Sequence, residues 1–173
     1  FLRAQGREED WSELCSDSDA VYDRELTICL DDLEPNVAVP HSPDLVCKVK
    51  EIEDLKVNQV LIGSCTNSSY QDMMTAARIL RGRKIHPEVS LGINAGSRQV
   101  LSMLAESGAL GWLIDAGARV LESGCGFCVG QGQAPEMGAV SVRTNNRNYK
   151  GRSGTQDARV YLVSPETAAA TAI

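Results

Sequence analysis

From residue 59 onward the apolar positions fall into short blocks that alternate between two spacings. Gln59-Val-Leu-Ile-Gly63 is an apolar run of strand length. Tyr70 to Leu80 then sets Met73, Ala76, Ala77 and Leu80 on one face of a helix that Ser68 or Ser69 can cap. Val89-Ser-Leu-Gly-Ile93 repeats the strand, and Arg98 to Glu106, with Val100, Leu101 and Leu104, repeats the helix. Arg119-Val120-Leu121 opens a third unit, strands follow at 139–143 and 159–163, and Ser164-Pro165-Glu166 starts a helix with a cap and a first-turn proline. Repeated strand and helix units predict an α/β fold of three layers, α/β/α, around a mainly parallel sheet. The fixed hand of the crossovers gathers the loops at the strand ends on one edge, where side chains from several loops can meet.

The first third reads differently. Leu26, Ile28 and Leu30 alternate as in a half-buried strand, and Pro35, Pro40 and Pro43 then cut the chain into turns. Residues 1–45 are expected to form a polar N-terminal segment and an interdomain linker, and residues 46–173 the α/β domain. Cys15, Cys29 and Cys47 share no motif and read as partly buried, unreactive thiols. His41, between Pro40 and Pro43, reads as a surface residue of a turn.

Composition narrows this picture without redirecting it. Of the 173 residues 43% are hydrophobic and 23% charged, as in a globular protein, and no apolar run approaches the ~20 residues of a membrane-spanning helix. The net charge of −6 argues against nucleic acid as a general partner. The chain begins at Phe1 and stops inside an alanine-rich run, so it reads as a piece of a longer polypeptide. Six cysteines in a chain of this length point to a reducing compartment, bacterial cytoplasm or mitochondrial matrix, rather than to a disulfide scaffold.

Two loops carry the candidate chemistry. Cys65, in Gly63-Ser-Cys-Thr-Asn-Ser-Ser69, and the pair in Cys125-Gly-Phe-Cys128 each stand where a predicted strand runs out. Three thiolates at one sheet edge could hold a soft metal or an iron–sulfur cluster, with a position left open for water or substrate unless a fourth ligand comes from elsewhere. The run Thr144-Asn-Asn-Arg147-Asn-Tyr-Lys-Gly-Arg152-Ser-Gly-Thr155 follows the next strand and is dense in hydrogen-bond donors. Its guanidinium groups suit carboxylates, so the same edge would join a metal site to recognition of a small carboxylic acid.

In order and spacing, Gly63-Ser-Cys-Thr-Asn-Ser-Ser-Tyr70, Cys125-Gly-Phe-Cys-Val-Gly-Gln131 and Asn146-Arg-Asn-Tyr-Lys-Gly-Arg152 resemble the aconitase superfamily of hydro-lyases, and Leu162-Val-Ser-Pro-Glu166 is similar to it as well. The resemblance runs from about Pro40 to the end and covers the third, cluster-binding domain of that superfamily. It implies a [4Fe–4S] cluster held by Cys65, Cys125 and Cys128, with one iron free of protein ligands to act as a Lewis acid. It implies that Asn146 hydrogen-bonds near the cluster and that Arg147 and Arg152 contact the carboxylates of a di- or tricarboxylic acid or support the site. The catalytic base would lie on a later, swivelling domain and other acid–base residues on earlier ones, so the remaining domains of the enzyme are required partners. Aconitate hydratase of the bacterial type, interconverting citrate and isocitrate through cis-aconitate in the tricarboxylic acid cycle, is the leading expectation. Phe127 stands where aconitases usually have proline, and the run from Gly151 into Ser164 is more like the isopropylmalate and homoaconitate isomerases, which are the alternative.

Rival readings use fewer of these residues. A dithiol oxidoreductase of the thioredoxin kind would need Cys125 at a helix N-terminus and leaves Cys65 idle. A structural zinc site would take His86 as its fourth ligand. A binding or regulatory module, after the one branch of the superfamily that resembles RNA-binding iron sensors, runs against the acidic charge.

Overall fold

Short-range alternation in this chain becomes one seven-stranded sheet in the computed structural model, which describes residues 2–173. Its strands are β1 (Asn36–Ala38), β2 (Val46–Lys48), β3 (Gln59–Gly63), β4 (Ser90–Asn94), β5 (Arg119–Leu121), β6 (Val140–Arg143) and β7 (Arg159–Leu162). The helices are α1 (Tyr70–Leu80), α2 (Arg98–Glu106), α3 (Ala109–Ala116) and α4 (Pro165–Thr171). Across the sheet the order is β2-β1-β7-β6-β3-β4-β5. From β7 to β5 the neighbours run parallel, and an antiparallel β1–β2 hairpin closes the β7 side. The α/β class and the mainly parallel sheet agree with the expectation from the sequence.

The helices pack against one another over one face of the sheet, α1 touching α2, α3 and α4, and α4 lying on β3 and β6. Val60 and Ile62 of β3, Leu91 and Ile93 of β4, and Val140 and Val142 of β6 meet Met73, Ala76, Ala77 and Leu80 of α1 there. Met73 and Leu80 are fully buried, and side chains of that size stabilise by roughly 1.5–3 kcal/mol each when removed from water. Gln59, Leu61, Ser141 and Arg143 belong to the other face, and all four are buried. The layer over them is not helical: it is the segment after β5, with a single 3-10 turn at Phe127–Val129 and buried Phe127 and Gln133. Gly92 of β4 leaves room there for Leu61, Leu121 and Gln133.

Ser69 caps α1 as expected. Its hydroxyl oxygen accepts from the Asp72 backbone N–H at 3.2 Å, and the Asp72 carboxylate accepts from the Ser69 N–H at 3.0 Å. Ser69→Ala is expected to lower the unfolding free energy by about 1 kcal/mol, measured by urea denaturation, with α1 otherwise intact.

The first third of the chain is organised differently from its local pattern. By compactness the units divide after Leu33. The cause is β1, which pairs with β2 and with Leu162 of β7, so the proline-rich stretch belongs to the sheet instead of linking two bodies. Nor does Tyr22 to Leu30 form a strand: Leu26 and Leu30 are 84% and 76% exposed, and only a 3-10 turn, Leu30–Asp32, occurs there. A strand needs a partner for its backbone groups, and among the described residues none pairs with this stretch. Cys15 and Cys29 are exposed instead of partly buried, whereas Cys47 is half-buried in β2. Among the described residues no helix is long and apolar enough to cross a membrane.

Candidate functional site

Strands β3, β4, β5 and β6 run parallel, so the four loops that leave their C-terminal ends open on the same edge. After β3 the chain makes a tight turn around Ser64, whose hydroxyl oxygen accepts from the Thr66 and Asn67 backbone N–H groups at 3.2 and 3.4 Å. The Ser68 hydroxyl donates to the Ser64 carbonyl, and Cys65 is left exposed. Asn67 ties this turn to the end of β6 by donating to the Thr144 carbonyl at 2.6 Å. The Thr144 hydroxyl holds Gly63 from the same side, accepting from its N–H at 2.8 Å.

The loop after β5 carries the other two thiols. Asn94, at the end of β4 and 1% exposed, donates from its amide to the carbonyls of Glu122 and Gly124, which fixes the entry to Cys125. Cys125 is exposed, the 3-10 turn Phe127–Val129 follows, and Cys128 within it is buried. The loop after β6 meets this segment from the side: Arg152 Nη2 lies 3.7 Å from Cys128 Sγ, and the Thr155 hydroxyl donates to the Pro135 carbonyl. The Arg152 guanidinium also sits over the Tyr149 ring, 5.8 Å from its centroid.

The predicted residues are therefore on one edge but not equally engaged. Cys128 and Arg152 are in contact. Arg147 and Asn146 are exposed, and Arg147 Nη1 donates to the Asn146 carbonyl at 2.9 Å. Among the described residues no group of three or more His, Cys, Asp or Glu side chains is close enough to hold a metal ion.

What distinguishes this edge is a set of buried polar atoms without partners. Among the described residues they are Asn94 Oδ1, Ser123 Oγ, both amide atoms of Asn145, Asn148 Oδ1, Arg152 Nε and Ser153 Oγ, at the C-terminal end of β4 or in the loops after β5 and β6. A buried polar atom left unsatisfied costs about 1–3 kcal/mol, so their recurrence along this edge fits polar groups bound there. Asn145, 4% exposed and unpartnered at both amide atoms, was not picked out by sequence reasoning, which fixed on Asn146.

Beneath the cysteine loop lies Arg143, also missed. It is fully buried, with Nε donating to Ser141 Oγ at 2.8 Å, Nη1 to the Phe127 carbonyl at 2.9 Å, and Nη2 to Gln59 Oε1 at 2.9 Å and to the Gln133 carbonyl at 3.4 Å. Burial pulls its guanidinium down to about 10, against the attraction of Cys128, which favours the cation. A depression of that size sets the buried charge against folding by roughly 3 kcal/mol. The folded-state value lies below the unfolded one, so the penalty is fully present at neutral pH and is relieved only as pH rises through about 10. The alternation Val140-Ser-Val-Arg143 was a signal for a polar face, yet a polar face on a strand ordinarily meets water.

Two of the three rivals, the dithiol and zinc readings, lose ground on geometry. No α-helix begins at Cys125, as the thioredoxin-type reading requires. His86 precedes β4 and so lies at the opposite end of the parallel strands from Cys65, which follows β3; five strand residues span about 16 Å.

Residues 48–173 match the family model described as "Aconitase family (aconitate hydratase)". The whole chain is 43% identical over 175 residues to 3-isopropylmalate dehydratase large subunit 2 of Archaeoglobus fulgidus, covering 42% of that protein. It is 44% identical over 180 residues to 3-isopropylmalate dehydratase large subunit 1 of Thermotoga maritima, again covering 42%. Against the homoaconitase large subunit of Thermus thermophilus it is 45% identical over 170 residues, with 96% of this chain and 40% of that protein covered. The chain thus spans about two fifths of the length of these curated relatives. The names favour the isopropylmalate and homoaconitate alternative over the leading aconitate hydratase expectation, and they leave citrate, isocitrate and the tricarboxylic acid cycle without support. A match over most of its length, joined to loops that bring the three motifs to one sheet edge, means that the chain belongs to the aconitase family.

Proposed function

We propose that this chain is the cluster-binding part of the large subunit of a hydro-lyase that isomerises a 2- or 3-hydroxy di- or tricarboxylic acid, of the isopropylmalate dehydratase or homoaconitase kind. The observation that carries it is the edge where loops bearing Cys65, Cys125 and Cys128 adjoin the unpartnered buried atoms of Asn94, Asn145, Arg152 and Ser153. Membership of the family supports it, and so do relatives whose names specify large subunits. A small subunit and the rest of the same polypeptide are the partners this reading requires.

The donor set fits a [4Fe–4S] cluster: three thiols on loops of one edge, with amide and guanidinium groups beside them to hydrogen-bond sulfur or substrate. Cys65, Cys125 and Cys128 would hold it, and when bound it supplies a Lewis-acid iron that polarises the departing hydroxyl of the substrate. Arg152 has its fork between Cys128 and solvent, half-buried and with Nε unpartnered, and is suited to grip a substrate carboxylate close to the cluster. Arg147 is exposed and offers a second guanidinium to the far carboxylate. Asn146 at the rim and the buried amide of Asn145 supply donors and acceptors that orient the acid.

Arg152→Lys is expected to leave the absorbance of the reconstituted cluster unchanged and to lower kcat/KM on the order of 10²-fold, because a single ammonium cannot form the two-point contact. Loss of the cluster in this variant would make Arg152 part of its support. The reading as a whole is tested by reconstituting the full-length protein anaerobically with iron and sulfide, adding its small subunit, and comparing isopropylmalate, homoaconitate and citrate as substrates. Turnover of either of the first two supports it. A preference for citrate would restore the aconitate hydratase expectation, and a protein that takes up no cluster would overturn both.

A further inference from the structure

Arg143 is the one fully buried cation in the described part of the sheet, and nothing in the reaction above gives it a task. We propose that Arg143 is a positioning residue for the Cys125–Cys128 loop, which it fixes from beneath while placing a permanent positive charge under the cluster ligands. The inference rests on the cluster reading of this loop.

The geometry is that of a strut. One guanidinium reaches the loop twice, at the carbonyls of Phe127, between the two cysteines, and Gln133, beyond them. Its other contacts, Ser141 Oγ and Gln59 Oε1, belong to β6 and β3 in the middle of the sheet. Gln59 reinforces the arrangement by donating from its own amide to the carbonyls of Gln133 and Ala134, both at 3.4 Å. Gln133 is held in turn by Arg119 Nη1 at 2.8 Å and by its own contact to Ser90 Oγ at 3.0 Å. A planar fork that serves two strands and two loop carbonyls at once cannot be reproduced by the single head of a lysine.

The charge is the second half of the argument. All of these acceptors are neutral, and no carboxylate pairs with Arg143 among the described residues. Buried charges are ordinarily paired. The thiolates of Cys125 and Cys128, carried by the loop that Arg143 holds, and with them a cluster of net negative charge, would be the missing partner. A cation fixed close to such a cluster favours its reduced, more negative state and so raises its reduction potential.

The test uses the full-length protein with its small subunit, reconstituted anaerobically, as wild type, Arg143→Lys and Arg143→Met. Far-UV circular dichroism reports folding, a redox titration followed by spin resonance reports the midpoint potential, and a chelator reports the rate of iron loss. Arg143→Met is expected to lower the midpoint potential and to lose iron on the order of 10-fold faster. Arg143→Lys should keep a potential near that of the wild type but still lose iron faster, since the charge remains and the fork does not. A folded Arg143→Met protein with wild-type potential and iron retention overturns the proposal. If Arg143→Met does not fold, Arg143→Lys decides: iron loss at the wild-type rate overturns it, and faster loss from a folded protein supports it. A wild-type protein that takes up no cluster brings down the cluster reading and this inference with it, and so is distinct from a failure at Arg143 alone.

Discussion

Cys128→Ser in the full-length protein is expected to remove the cluster and the hydro-lyase activity together, with activity falling by at least about 10³-fold. Serine nearly preserves the volume of the thiol, so the change isolates the chemistry. A hydroxyl stays protonated at neutral pH and offers iron a hard, neutral oxygen, whereas the site needs a soft thiolate. Of the three candidate ligands Cys128 is the buried one, seated in the 3-10 turn with Arg152 Nη2 at 3.7 Å, so its replacement cannot be made good by a rearrangement at the surface. Compared as cluster-free proteins, wild type and variant should differ in stability by about 1–2 kcal/mol, the cost of a hydroxyl at a buried position. Iron and sulfide analysis, measured beside turnover, checks the result, and Cys15→Ser and Cys29→Ser, both at exposed positions of the other unit, serve as controls expected to change neither. Activity that survives without the cluster would sink the assignment of Cys128 as a ligand.

Gly130→Ala is expected to lower the unfolding free energy by about 2–4 kcal/mol and to impair cluster uptake. Gly130 closes the turn after Cys128 with a φ of +89°, a conformation that disfavours any side chain. A methyl group there would also run into the Ser153 carbonyl and approach Gly154 Cα to 3.1 Å. Those atoms are backbone, so no rotamer change can make room, and one of the two loops has to move. The loops in question carry Cys128 and Arg152, and parting them breaks the contact between thiol and guanidinium. Gly132→Ala is the control: its φ is +73° but nothing lies within 4 Å of the added carbon. It should cost only about 1 kcal/mol, so equal losses in denaturant unfolding would show that the close approach at Gly130 is unimportant.

The parts of this fold that could be read along the chain are those specified within a dozen residues. Met73, Ala76, Ala77 and Leu80 repeat at helical spacing behind a serine cap, and Tyr70–Leu80 is a helix with that face buried. Helix α3 escaped because Ala109-Leu-Gly-Trp-Leu-Ile-Asp-Ala116 has no polar stripe and a glycine inside it; its ends are set by Gly108 and Gly117 in left-handed conformations. Strands β1 and β2 escaped for a different reason. At three residues each they show no period, and they exist because they pair with each other and with β7, far away in sequence. The converse is Leu26, Ile28 and Leu30, where the period is present and the partner is not.

By itself the sequence determined which residue types stand at the ends of strands β3, β5 and β6, and a parallel sheet with crossovers of one hand then requires their loops to share an edge. Cys65, Cys125, Cys128 and Arg152 were legible on those terms. The tertiary structure alone decided which of them touch, and it decided that the Ser141 and Arg143 face of β6 is covered instead of wet. Alternation along a strand states only that its two faces differ. Whether the polar one meets solvent, or a loop that brings carbonyls and thiols to it, depends on where the chain travels after β5, and no local pattern in the residues encodes that path.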